Sequence, residues 1–197
     1  MMKRMTMMAL VMVSLAACGG PKGKDNPVTG TQPDGTPKWV HRGSGAFDTD
    51  SGAKALFGVG IASGIRDEAM ARKASDNRAR GEIALLRKTY VSSMMKDYQR
   101  ATTSGDYQAS SEEQDIVNVQ KTMSEASISG IEIRDHWWNP QSGAVYALAV
   151  LDLTNVLEKV EQAKELQPRT KAHVRANADR AFRDLNREMR LLRRSGK

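Results

Sequence analysis

Cys18 is the only cysteine in this 197-residue chain, and it follows Leu15-Ala16-Ala17 and precedes Gly19. A thiol is a side chain that can take a diacylglyceryl group as a thioether. The small residues before it leave the preceding peptide bond open to a peptidase, and the α-amine freed by that cut can be acylated in turn. Each buried CH₂ contributes roughly 0.8 kcal/mol, so one acyl chain binds a membrane only marginally while two or three on one residue hold it. A lone cysteine forms no internal disulfide, which excludes a disulfide-stapled scaffold.

Other residues that could do chemistry are few. His41, His136 and His173 fall in a loop, a strand and a C-terminal helix, with no second His or Cys at metal-ligand spacing. No metal site is expected. Gly58-x-Gly60-x-x-x-Gly64 lies between a strand and a helix but is one residue too long for a dinucleotide loop, and no βαβ alternation follows it. Those glycines are read instead as room for close helix–sheet packing. Asp135 and His136 are neighbours in a strand and so point to opposite faces, and no G-x-S-x-G elbow occurs. No cofactor, small-molecule substrate or catalytic set is expected. Trp137-Trp138 is the one aromatic pair suited to a partner surface, with one ring expected in the core and the other exposed.

The segment that positions Cys18 has its own grammar. Lys3 and Arg4 are followed by the apolar run Met5–Ser14. About ten apolar residues cannot span a bilayer, which takes about 20, and match a signal-peptide core. Charge, apolar run, small residues and cysteine in that order resemble a bacterial lipobox. The competing reading is a signal peptide cut elsewhere with Cys18 incidental. Residues 1–17 are thus expected to be removed. Gly19, rather than Asp, after the cysteine favours the outer membrane, with the domain facing the periplasm or, if flipped, the cell surface.

Removing residues 1–17 takes away two basic and no acidic residues, which leaves 28 Lys+Arg against 23 Asp+Glu, a net of +5. Residues 158–197 hold twelve Lys/Arg and six Asp/Glu, so the excess sits in the C-terminal tail. For an exported chain that excess points to anionic lipid, lipopolysaccharide or an acidic partner rather than nucleic acid, or simply to a solvated helix face. Residues 18–38, rich in Gly, Pro, Thr and Asp, read as a flexible tether with a reach of roughly 25 Å. Trp39-Val40 is the first place with something to bury.

Lys54–Ala62 reads as a strand. Asp67 caps a helix to about Arg100, whose Ala79, Ile83, Leu86, Tyr90 and Met94 form one stripe. Ala101–Ser111 reads as a loop. A capping box on Ser110/Glu113 or Ser111/Gln114 then opens a second helix of about 15 residues ending at Gly130, although Ile116–Val119 also suits a strand. Ile131–Trp138 alternates Ile131, Ile133, Asp135 and Trp137 against Glu132, Arg134, His136 and Trp138, and pairs as a hairpin with the apolar Ala144–Leu153. A short helix over 155–166, with Thr154 as its cap, is broken by Pro168. A last helix over 170–194 carries Val174, Ala178, Phe182, Leu185, Met189 and Leu192 on one stripe. It could lie back on the domain, pair with another helix in a near-heptad assembly, or rest on a membrane surface. Strands followed by helices in this order give an α+β domain, a small antiparallel sheet packed against a long helix, over 39–156, with a basic helical tail over 157–197.

These residues resemble the LPP20-type bacterial lipoproteins. The likeness is carried by Pro37-Lys38-Trp39-Val40, Phe57-Gly58-Val59-Gly60, Asp67 with Ala69, Ala71, Ala74 and Ala79, Arg80 to Ala84, Gly130 to Ile133 with Asp135 and Trp137, and Gly143 to Leu151. It covers about residues 37–156 and leaves out the basic tail. It implies a lipid-anchored envelope protein with an α+β domain and no assigned enzymatic chemistry. Three roles follow as expectations: a non-catalytic structural or interaction module; an assembly factor driven by the tail helix, of an envelope or flagellar-type complex; and, least supported, an enzyme acting on envelope polymers.

Overall fold

The computed structural model describes residues 30–49, 51–102 and 109–195. Cys18, the signal segment and residues 19–29 lie outside the described residues, as does most of the loop expected over 101–111.

The chain is α+β, as expected. The elements run α1 (Lys38–Arg42), β1 (Gly45–Asp48), β2 (Lys54–Ala62), α2 (Glu68–Thr102), α3 (Ala109–Gly130), β3 (Ile131–Trp138), β4 (Val145–Asp152), α4 (Leu153–Gln162) and α5 (Pro168–Ser195). The four strands form one antiparallel sheet in the order β1-β2-β4-β3. The last nine residues of the expected tether are turned: Gln32 N–H donates to Thr36 O at 2.7 Å and Lys38 N–H to Gly30 O at 3.1 Å. Pro33-Asp34-Gly35 supplies the turn chemistry, with Asp34 Oδ1 accepting from Thr36 N–H at 2.9 Å.

Asp67 caps α2 by accepting from Met70 N–H at 2.7 Å, and the whole expected stripe from Ala79 to Met94 is buried. Gly58 and Gly60 form the seat of this helix. A Cβ on Gly58 would collide with Ala79 O, and one on Gly60 with Ser75 O. Opposite them in β4 stand Ala149 and Ala147, so four small residues flatten the sheet where α2 crosses it. β2 outruns β1, and its free edge is occupied by Ser44 Oγ, which accepts from Val59 N–H at 3.0 Å, and by Arg78, which donates to Ile61 O.

Several local expectations are corrected. α3 is helical from Ala109, so Ser110 and Ser111 sit inside the helix rather than before it. Ile116, Val119, Met123 and Ala126 are buried on that helix, which settles it against a strand. Asp152, not Thr154, caps α4, by accepting from Thr154 N–H at 2.7 Å. Pro168 begins α5 at the position where its missing N–H costs nothing. His41 lies in α1 rather than a loop.

The face assignment of β3 changes most. The register slips between Ile133 and Asp135: Ile133 pairs with Ala149, and Asp135 already with Leu148. A β-bulge at Arg134 therefore puts Ile131 and Ile133 on the α2 face and Asp135 and Trp137 on the other. Two cores result. The larger lies between the sheet and α2, α3, α4 and α5, and the smaller gathers Trp39, Phe47, Phe57, Leu148 and Val150 under α1. α5 lies back on the domain, burying Val174, Ala178, Phe182 and Leu185. Leu192, expected on that stripe, is 57% exposed because the covered face of α5 passes at its end through Met189 and Arg193, the latter bonded to Ser44 O, and not through Leu192.

Candidate functional site

The outer sheet face is closed at one end and open at the other. Trp39 seals the closed end, and its Nε1–H donates to Asp135 Oδ2 at 2.9 Å. At the open end the half-buried rings of Trp137 and Tyr146 meet with centroids 5.3 Å apart at 54°. Ile61 pairs with Tyr146 across β2 and β4 on the same face and is 44% exposed. Trp138 pairs with Val145 on the α2 face and is 41% exposed. The two tryptophans thus belong to different surfaces, and neither is fully in the core.

A cleft of about 520 Å³ opens between α4 and α5. Leu153, Leu157, Val174 and Ala178 make its walls, and Tyr90 of α2 its floor. Two ion pairs cross its rim, Lys54 with Asp179 and Arg175 with Glu161, the latter through two nitrogens at 2.7 and 3.1 Å. Burial, with the Asp179 carboxylate, pushes the Tyr90 hydroxyl far above its ordinary pKa, and it makes no hydrogen bond among the described residues. At neutral pH it can donate or accept a hydrogen bond but supplies no phenolate. The sequence shows Tyr90 as a stripe residue; a hydroxyl among Ile83, Leu86 and Met94 was the available signal that this position opens onto a cleft.

The remaining buried polar groups tie elements together. Asp115 Oδ2 of α3 accepts from Thr170 Oγ1 of α5 at 3.0 Å and from Tyr98 of α2 at 3.1 Å. Burial raises the pKa of the Tyr98 hydroxyl. His173 sets its ring edge-on to Tyr98, 4.9 Å away, and donates through Nε2 to Met94 O at 3.2 Å. His136 Nε2 meets Asp76 Oδ1 at 2.6 Å and joins β3 to α2, while Asp135 bonds Trp39 on the opposite face. Among the described residues no three His, Cys, Asp or Glu side chains gather in a way that could hold a metal ion, and no helix is long and apolar enough to cross a membrane.

No curated protein matches the chain. A family model, that of the LPP20 lipoprotein, matches residues 37–152, from the residue before α1 to the end of β4. That span holds the whole sheet, the glycine seat of α2, the Trp39–Asp135 bond and the Trp137–Tyr146 pair, and leaves α4 and α5 outside. It covers more than half of the chain, which therefore belongs to the LPP20 lipoprotein family and is an envelope lipoprotein.

Proposed function

We propose that the protein is held at the outer membrane by diacylglyceryl and N-acyl groups on Cys18, faces the periplasm, and acts there as a non-catalytic interaction module. The observation that carries the interaction role is the open end of the outer sheet face, where Trp137, Tyr146 and Ile61 form an apolar, aromatic surface. Aromatic residues dominate partner hot spots because they bury large rigid area at low entropic cost. The order of residues from Lys3 to Gly19 supports the anchor and the membrane assignment. In the α4–α5 cleft two of the three lining carboxylates, Glu161 and Asp179, are each bound to a cation, and the tyrosine stays protonated.

A photoreactive amino acid at Ile61 tests the surface in living cells. Irradiation is expected to give discrete protein adducts that disappear when Trp137 is also replaced by Ala. No adduct at Ile61, or adducts indifferent to Trp137→Ala, rejects this surface as the partner site.

A further inference from the structure

We propose that the C-terminal end of α5 docks on an anionic phospholipid surface, with Leu191 and Leu192 entering the headgroup boundary and the surrounding arginines paired with lipid phosphates. The inference rests on the anchor at Cys18, which brings this edge to the membrane.

The last turns of α5 read Arg190-Leu191-Leu192-Arg193-Arg194. Leu191 and Leu192 are 58% and 57% exposed, two adjacent large apolar side chains that the domain does not cover. Full burial along α5 ends at Leu185, and beyond it Asn186, Met189 and Arg193 are half-buried against the domain, which leaves Leu191 and Leu192 on the outward side of the helix end. Residues 187–194 carry four arginines against the single carboxylate of Glu188. Arg190 and Arg194 are exposed and make no ion pair or hydrogen bond among the described residues. Apolar side chains flanked by guanidinium groups suit the boundary between acyl chains and phosphates, where each group finds its own solvent.

The edge is also cationic for a structural reason. Arg193 donates to Ser44 O at 2.8 Å and lies 5.1 Å from the centre of the Phe47 ring, while Arg42 of α1 lies 4.5 Å from the same ring. Partial burial and, secondarily, the neighbouring Arg42 and Arg190 lower the pKa of Arg193. Gly30 O accepts from Lys38 N–H at the start of α1, and Arg42 ends that five-residue helix. The twelve residues from 19 to 30 span at most about 40 Å when fully extended. α1 and the end of α5 therefore stay within reach of the surface that holds Cys18.

The test uses the full-length lipidated protein with Leu192→Cys. The Cys18 sulfur is then a thioether, so residue 192 carries the single reactive thiol for a nitroxide. Ile128, on α3 and 79% exposed, provides the control position as Ile128→Cys. In vesicles of phosphatidylcholine with phosphatidylglycerol, the label at 192 is expected to collide several-fold less with a water-soluble nickel chelate than the label at 128, and to favour oxygen instead. Arg190→Glu with Arg194→Glu should restore nickel access at 192 while the protein stays on the vesicles. Equal nickel access at both positions on these vesicles overturns the docking. Spin–spin broadening at 192 overturns it too, because it assigns the leucines to a second copy. Two nitroxides per chain, one of them on Cys18, overturn the anchor instead and remove the basis of the inference.

Discussion

Trp39 in α1 and Asp135 in β3 are joined by a 2.9 Å hydrogen bond across 96 positions of sequence, and the β-bulge at Arg134 is what makes it geometrically available. Without the extra residue, Asp135 would face α2. Trp39→Phe keeps a large ring in the small core but leaves Asp135 without its donor. It should lower unfolding stability in denaturant by about 1–2 kcal/mol, with Asp135→Asn, which keeps an acceptor, costing less. Equal stability of Trp39→Phe and the parent protein contradicts a role for the bond.

Two glycines should respond with opposite signs. Gly60→Ala sets a methyl group against Ser75 O, a backbone atom that can yield only by lifting α2 off the sheet. A loss of about 3 kcal/mol or more is expected, at the upper end of overpacking costs. Gly81, in α2, has open space where a Cβ would stand, with no neighbouring atom within 4 Å, and needs no special backbone angle. Gly81→Ala should stabilise by about 0.5–1 kcal/mol through helix propensity and a less flexible unfolded chain. Thermal unfolding of the two variants side by side checks both signs.

Alkaline stability should depend on Tyr90. Its hydroxyl is held above the ordinary 10.0 by burial and, secondarily, by Asp179. Below about pH 10 the group is protonated in both folded and unfolded chains and the shift has no effect on stability. Above that pH the unfolded chain loses its proton first, binds fewer protons than the native state, and is favoured, so stability falls as pH rises. Tyr98, whose hydroxyl is also raised by burial, adds to the same slope. Tyr90→Phe should therefore lose less stability than the parent between about pH 9 and about pH 11. Parallel melting-temperature curves for the two proteins contradict this.

Much of the fold was legible because it follows from periodicity. Ala79, Ile83, Leu86, Tyr90 and Met94 repeat at helical spacing and are all buried, and Lys54–Ala62 and the β3–β4 hairpin fall where alternation and turn residues put them. The face of Asp135 and Trp137 was not legible, since one inserted residue at Arg134 reverses every later side chain without changing the alternation of residue types. β1 escaped notice because four residues, Gly45–Asp48, are too short for a pattern. The exposure of Leu192 depends on which side of the α5 end meets Ser44 and Phe47, where Arg193 takes the contact, and the spacing of apolar residues does not record that. The α4–α5 cleft was illegible for a similar reason: Tyr90, Leu157, Lys54 and Asp179 come from four elements that only the fold brings together.

The central claim concerns Cys18, and the intact mass of the protein extracted from its native membrane tests it most directly. The predicted mass is that of a chain beginning at Cys18 with a diacylglyceryl thioether and one amide-linked acyl chain, and Cys18→Ala should leave the uncut precursor instead. A mature chain that begins elsewhere, or one that begins at Cys18 with a free thiol, would contradict it.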